Sequence, residues 1–160
     1  MASRAHTTPR TTREAADIPL ERFIAIADFR TRLRAFLRHS EDACRDWGLT
    51  PQRYLLLLAI KGAPDGSERL SFTEVAERLQ LSRNTVTELC ARAEDAGLLV
   101  REPSETDQRV VYLRVTREGE RRLSGVIRDS DVDRAELLTA FDVLAETFRT
   151  VSRPLRKSRS

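Results

Sequence analysis

An acid and an arginine stand two residues apart at Asp107 and Arg109, directly before a stretch in which apolar residues alternate. A carboxylate and a guanidinium at this spacing can form a two-pronged ion pair, which fixes the direction of the arginine. The stretch that follows has Val111, Leu113 and Val115 on one side, as is typical of a strand with one buried face. The function of the pair therefore depends on the elements that surround this strand.

Other reactive side chains are few and scattered. The two cysteines, Cys44 and Cys90, and the two histidines, His6 and His39, do not have the spacing of a metal site or a secreted disulfide framework. The sequence suggests no Ser/His/Asp or Cys/His pairing and contains no glycine-rich phosphate loop. We therefore predict that the protein is not an enzyme and that it holds no metal and no cofactor.

Length and charge limit the remaining possibilities. A chain of 160 residues fits one compact domain, or one domain with an arm for pairing. Its longest apolar run, residues 54–60, is far below the roughly 20 residues of a membrane helix, and residues 1–17 lack the apolar core of a secretory signal. We expect a cytoplasmic protein with no membrane association.

The net charge of +3 and the isoelectric point near 9.3 suggest an acidic partner, but the charge is unevenly distributed. Residues 68–116 hold seven arginines against nine acids, and much of the excess lies in the C-terminal RPLRKSRS. Binding to nucleic acid would therefore depend on individually placed residues.

Helical periodicity predicts a long helix over residues 19–47, about 42 Å in length. This is more than a small core covers, so part of the helix is expected to pack on a second chain. A second helix is predicted over residues 51–60, with Thr50 as its N-cap, Pro51 in its first position and Gly62 as its stop signal.

A helix-turn-helix is predicted next. Ser71 and Glu74 have the spacing of a capping box that opens a helix to about Leu79, and Ser82 can cap a helix over residues 83–96 that ends before Gly97. The small Ala76 allows the two helices to cross closely. We expect the second helix to bury Val86, Leu89, Cys90 and Ala93 and to expose Arg83, Asn84, Thr87 and Glu88. Such donors and acceptors near a helix N-terminus suit the major groove of DNA, although every amphipathic helix has a polar face.

Two strands, residues 98–103 and 109–115, are predicted on either side of a loop, and Thr116 is expected to cap the helix that follows. Leu123, Val126 and Ile127 mark that helix, residues 129–133 are expected to interrupt it, and a last helix is predicted to continue until Pro154.

This order of elements resembles the MarR family of winged-helix transcription regulators over roughly residues 20–148. The most specific stretches are GLTPQRYLLLLAIKG (48–62), LSRNTVTELCARAEDAGLLVRE (81–102) and DQRVVYLRVTREG (107–119). The last of these matches the family's wing pattern of Asp, any residue, Arg, then Leu and Thr. The resemblance implies a mainly α fold with a small β-hairpin wing. It also implies a homodimer whose first and last helices interlock, with recognition helices in successive major grooves of double-stranded DNA.

The predicted division of the chain follows from these elements. It comprises a disordered tail (1–17), a dimerisation helix (18–49), a winged helix-turn-helix domain (50–116), C-terminal dimerisation helices (117–153) and a basic tail (154–160).

The resemblance implies DNA contacts in two groups of residues. They are Ser82, Arg83, Asn84, Thr85 and Thr87 of the recognition helix and its cap, and Gln108 and Arg109 of the wing. Arg109 matches the family's wing arginine, which enters the minor groove where A·T-rich stretches concentrate negative potential. We expect Asp107 to hold its guanidinium by a forked salt bridge. The alternative is an exposed ion pair without function, worth about 0 to 1 kcal/mol.

Two residues depart from the family pattern. Gln80 stands where the helix-turn-helix usually has glycine, so the turn must accept a non-glycine residue at positive φ or adopt another shape. Glu88 lies on the face that approaches phosphates. It could accept a hydrogen bond from cytosine N4 or be turned aside, and we expect the second.

Two regulatory sites are also predicted. Trp47, Arg53 and Tyr54 could line a pocket for a small aromatic or phenolic effector, although core packing explains them equally well. Cys44 could be a redox switch, since some relatives in the family sense oxidants through cysteine, although a buried thiol is more often a small hydrophobic residue.

The sequence therefore predicts a ligand-responsive repressor that binds a pseudo-palindromic operator as a dimer. One alternative is a cysteine-based redox-sensing regulator of the same fold. The other is a winged-helix module that binds protein and not DNA, which the slightly acidic segment 68–116 favours.

Overall fold

The computed structural model describes residues 18–107 and 109–151. Six helices and three strands form within these residues. In chain order they are α1 (Leu20–Asp46), α2 (Pro51–Lys61), β1 (Arg69–Ser71), α3 (Phe72–Leu79), α4 (Arg83–Asp95), β2 (Leu99–Pro103), β3 (Val111–Val115), α5 (Arg117–Asp129) and α6 (Asp131–Val151). The predicted N-terminal tail, Gln108 and the basic C-terminal tail lie outside the described residues.

The predicted fold class is confirmed: the protein is mainly helical and carries a small antiparallel sheet with the strand order β1–β3–β2. β2 and β3 form the predicted hairpin, with Leu99 opposite Val115. β1 was not predicted. It has three residues, of which only Leu70 is buried, so it is too short to show alternation in the sequence and forms because β3 offers it a partner.

The predicted N-caps are confirmed. The side chains of Thr50, Ser71, Ser82 and Thr116 each accept a hydrogen bond from a backbone N–H three residues later, at the start of α2, α3, α4 and α5. At Ser71 the capping box is complete, because Oε2 of Glu74 accepts from the Ser71 backbone N–H at 2.7 Å. These polar positions therefore fix where the helices of the helix-turn-helix begin.

The predicted five-residue interruption after α5 is wrong. Only Ser130 separates α5 from α6; it is 1% exposed, and its hydroxyl donates to the carbonyl of Val126 at 2.8 Å. Asp131 and Asp133 lie in the first turn of α6, where negative charge is favourable, so residues that suggested a loop begin a helix.

The main core lies between α2, α3, α4, α5 and the inner face of the sheet, and includes Leu56, Leu57, Ile60, Val75, Val86, Leu113 and Val126. α5 approaches its neighbours at two glycines. A Cβ atom on Gly119 would lie 2.3 Å from the carbonyl oxygen of Leu98, and one on Gly125 would lie 2.1 Å from Cε2 of Trp47. The absence of a side chain at these positions lets α5 pack tightly beneath the wing and against the end of α1.

α1 and α6 pack against each other in antiparallel directions. Phe29 and Phe141 have ring centroids 6.1 Å apart, and Arg32 donates to Glu136 at 2.7 Å. Further along, Nδ1 of His39 lies 2.5 Å from Oδ1 of Asp133. Among the described residues, no helix is both long enough and apolar enough to cross a membrane.

Candidate DNA-binding surface

The turn between α3 and α4 accepts a non-glycine residue in the left-handed region. Gln80 has φ 54° and ψ 41°, the first of the two shapes predicted for it. The backbone N–H of Leu81 donates to the carbonyl of Ala76 at 3.0 Å, which closes the end of α3. Ala76 is buried at the crossing of the helices, as predicted. The turn directs the N-terminus of α4 outward.

The two faces of α4 are the predicted ones. Val86, Leu89, Cys90 and Ala93 are buried, whereas Arg83, Asn84, Thr87 and Glu88 are exposed. Within the part of the chain that the structure describes, the side chains of Arg83 and Asn84 have no hydrogen-bond or ion-pair partner. A forked cation and an amide at the end of a helix are therefore available to an external ligand.

The hydroxyl groups at the same end help to hold the helix. Ser82 Oγ lies 2.8 Å from Thr85 Oγ1, and Thr87 Oγ1 donates to the carbonyl of Arg83 at 2.9 Å. Glu88 is 73% exposed, and its carboxylate lies 3.9 Å from Arg92, one turn further from the N-terminus. Glu88 therefore has only a distant ion-pair partner on the exposed side of α4, and its turning aside from DNA stays a prediction.

In the wing, Asp107 has a different partner from the expected one. Its Oδ1 accepts a hydrogen bond from the backbone N–H of Arg109 at 3.0 Å, and no forked salt bridge joins the two side chains among the described residues. Both residues lie in a turn between the strands, which the bond from Val110 N–H to the Asp107 carbonyl closes at 2.9 Å. Asp107 therefore shapes the backbone, as aspartates in turns commonly do, and the Arg109 guanidinium stays exposed.

Ser104 is a wing residue that the sequence analysis missed. It is 9% exposed, and its hydroxyl accepts from the backbone N–H groups of Thr106 and Asp107, each at 3.3 Å. Its own N–H donates to the carbonyl of Val110 at 2.9 Å. A serine directly after Pro103 in a polar loop was the available signal, since serine hydroxyls bond to nearby backbone groups in turns.

The residues of the predicted effector pocket point in three directions. Trp47 donates from Nε1 to Asp129 at 2.7 Å, and Arg53 donates to the carbonyl of Arg92 at 3.3 Å. Tyr54 is buried in the core, where desolvation raises the pKa of its hydroxyl and the charge of Arg134 opposes this effect. Trp47 and Arg53 are therefore engaged elsewhere and Tyr54 lies in the core, so the pocket remains a prediction.

Both thiols lie in the core. Cys44 is 1% exposed, and burial followed by the charge of Glu41 raises its pKa. Burial raises the pKa of Cys90 to about 11. A thiol reacts as the thiolate, so this environment argues against oxidant sensing at either cysteine.

A helix-turn-helix in which Arg83 and Asn84 have no partner among the described residues, followed by a hairpin that exposes an arginine at its tip, is the arrangement of a winged-helix DNA-binding transcription regulator. Residues 47–110 match the sequence model of the MarR family. The regulator FarR of Neisseria gonorrhoeae is 30% identical over 125 residues, which cover 72% of this chain and 78% of that protein. The chain belongs to the MarR family.

Two solved structures share the fold. The MarR family regulator Sco3205 of Streptomyces coelicolor, determined in complex with DNA, has a TM-score of 0.59 at 21% identity, and the match covers 89% of this chain and 95% of that one. NadR, determined in complex with 4-hydroxyphenylacetate, has a TM-score of 0.58 at 24% identity, with 88% and 97% covered.

Proposed function

We propose that the protein is a homodimeric repressor that binds a pseudo-palindromic operator and responds to a small aromatic or phenolic effector. The observation that carries the proposal is the combination of one polar α4 N-terminus per chain with exposed apolar side chains on α1 and α6. A single winged helix contacts one half-site, so a two-fold assembly is needed to read two.

Exposed apolar side chains on α1 and α6 support the proposal that a second copy of the chain packs against these helices. Phe23 and Ile24 of α1 and Leu138, Phe141 and Val143 of α6 are each more than half exposed. Exposed apolar side chains on two packed helices are unfavourable in water, at about 25 cal/mol for each Å². Between its N-terminus and Ser40, α1 has only Ala25 buried, so most of this stretch of the helix has no core to cover it within one chain.

Each half of the dimer would read DNA through two elements. Arg83 and Asn84 would enter the major groove, and Arg109 would enter the adjacent minor groove. The two half-sites would lie one helical turn apart, about 10 base pairs. A dimer bound at a promoter would exclude other proteins from it, which is the basis for proposing repression.

The effector is proposed by analogy with NadR, which was determined with a phenolic acid. An effector changes DNA affinity only if it binds one spacing of the two recognition helices better than the other. In this proposal Tyr54 of α2 and Arg134 of α6 would supply a hydroxyl and a cation to such a ligand. Phenolic and aromatic acids are therefore the first compounds to screen.

Sedimentation of the full chain and binding to a duplex of mixed sequence test the proposal together. Wild type should sediment as a dimer, and its affinity for the duplex should fall steeply with salt, because phosphate contacts release counterions. Phe141→Asp should yield monomers, whereas Ser124→Asp, with the same charge on an exposed polar position of α5, should remain dimeric. A wild-type dimer that binds no duplex at low salt would favour the protein-interaction module instead.

A further inference from the structure

A notch of about 320 Å³ lies between the wing and the beginning of α3. It is lined by residues 71–73 and 109–111 and by Arg101 of β2, and we call it the wing notch. Two of its lining residues are arginines. The sequence predicts a function for Arg109 but none for Arg101.

Arg101 is held in place by two contacts. Its Nε lies 2.9 Å from Oε2 of Glu94 at the end of α4, and its guanidinium carbon lies 5.3 Å from the centre of the Phe72 ring. Within residues 18–107 and 109–151, the two terminal nitrogens of Arg101 make no hydrogen bond. Glu94 therefore holds one edge of the guanidinium and the Phe72 ring covers one of its faces, so its terminal nitrogens can donate to a ligand.

The other groups in the wing notch are mainly donors. The Arg109 guanidinium is exposed, and the Thr73 hydroxyl has no partner among the described residues. The nearby carboxylate of Glu74 is already engaged, since its Oε2 accepts from both the backbone N–H and the hydroxyl of Ser71 at 2.7 Å. Such a set of donors around a small concave site suits an oxyanion.

We propose that the wing notch binds a backbone phosphate of DNA, with Arg101 as its main cation; this inference rests on the proposed DNA binding. α4 occupies a major groove and Arg109 the adjacent minor groove, and one sugar–phosphate strand separates these two grooves. That strand has to cross the surface between the helix-turn-helix and the wing tip. The wing notch faces this gap, because Arg101 touches α3 and α4 on one side and Arg109 lines the other.

Arg114 provides a matched control for Arg101. It also lies on a strand and pairs with a glutamate, since its Nε donates to both carboxylate oxygens of Glu102 at 3.0 Å. It is outside the wing notch, on the opposite face of the sheet. Arg101→Gln and Arg114→Gln therefore remove the same charge from comparable ion pairs, and only the first removes it from the wing notch.

The test measures affinity for a mixed-sequence duplex of roughly 30 base pairs over a range of salt concentrations, so no operator is needed. Arg101→Gln should weaken binding about tenfold and lower the slope of log affinity against log salt by about 1 for each bound protomer. Arg114→Gln should leave the slope unchanged. Arg101→Lys should keep the wild-type slope, because an ammonium also neutralises a phosphate.

A second variant covers the possibility that Arg101→Gln does not fold. Thr73→Glu places a negative charge in the wing notch at an exposed helix position and should weaken binding more than tenfold. Ser124→Glu, equally exposed on α5, should change it less than about twofold. Wild-type slopes for Arg101→Gln, or equal effects of the two glutamates, would overturn the proposal. If wild type binds the duplex with an affinity that falls steeply with salt, that failure concerns the wing notch alone, whereas wild type that binds no duplex contradicts the proposed function itself.

Discussion

Oδ1 of Asp107 accepts the backbone N–H of Arg109 at 3.0 Å, and the guanidinium of Arg109 remains exposed. The acid therefore fixes the path of the wing backbone and does not neutralise the arginine. This arrangement leaves the full charge of Arg109 for an external anion. An asparagine at position 107 could still accept the Arg109 N–H but could not form a salt bridge. This substitution therefore distinguishes the observed hydrogen bond from the forked salt bridge that the spacing suggested.

We predict that Arg109→Ala weakens DNA binding by about 1 to 3 kcal/mol, mainly at outer, A·T-rich positions of the site, with little change in thermal stability. Asp107→Ala should weaken binding less, since the arginine remains but its backbone is no longer fixed. The double variant should bind no worse than Arg109→Ala alone. Fluorescence anisotropy with labelled duplexes measures all four proteins.

Asp107→Asn distinguishes the two arrangements. The amide oxygen of asparagine can accept the Arg109 N–H, so this variant should bind DNA like wild type. Binding as weak as that of Asp107→Ala would show that the negative charge acts on the guanidinium. If the double variant loses the sum of the binding free energies that Asp107→Ala and Arg109→Ala lose separately, Asp107 does not act through Arg109.

We predict that Ser104→Ala loosens the wing. The variant leaves the backbone N–H groups of Thr106 and Asp107 without their acceptor, so DNA affinity should fall by about 1 kcal/mol. Thr106→Val is the control, because the Thr106 hydroxyl bonds only to Ser104 Oγ, at 3.2 Å. This variant should bind DNA nearly as well as wild type does. Equal affinities for Ser104→Ala and wild type would mean that the hydroxyl does not order the loop.

We predict that Gly125→Ala destabilises the protein by about 1 to 3 kcal/mol, because its Cβ would lie 2.1 Å from the Trp47 ring. The gain of roughly 1 kcal/mol in helix propensity does not offset this overlap. Trp47 is the only tryptophan, so its fluorescence reports the displacement of the ring directly. Ser124→Ala, at the exposed neighbouring position, should leave both stability and emission unchanged or slightly improve stability.

We predict that neither thiol reacts in the native protein at neutral pH. Burial raises both pKa values, so the thiolate fraction and the access of a reagent are both small. Alkylation by iodoacetamide, followed by mass spectrometry, should modify Cys44 and Cys90 only after unfolding. Loss of DNA binding in peroxide, abolished by Cys44→Ser, would instead support the redox-sensing alternative.

The positions of helix ends could be predicted well, because a helix end is a local event. The capping box of Ser71 and Glu74 satisfies free backbone donors within three residues, and the Ser82 cap does the same. The residues that predict each helix start are therefore the residues that form it. The faces of α4 were predictable for a similar reason, since its apolar side chains recur with the period of the helix.

Positions that depend on distant parts of the chain were not predictable. β1 forms because Leu70 lies opposite Leu113, 43 residues later, and not because of any pattern of its own. Arg101 lacked an assigned function because its two holding contacts, Glu94 and Phe72, come from two different helices.

In the wing, the sequence and the tertiary structure determine different properties of Asp107 and Arg109. Sequence alone determined that an acid and an arginine stand at a hairpin tip, because residue types and spacing are fixed by the chain. Only the tertiary structure decided that the acid binds a backbone N–H, because the turn that Ser104 and Val110 close determines which donor the carboxylate reaches. The direction of a side chain depends on backbone angles across the whole loop, and these are fixed by bonds between residues that the local pattern does not connect.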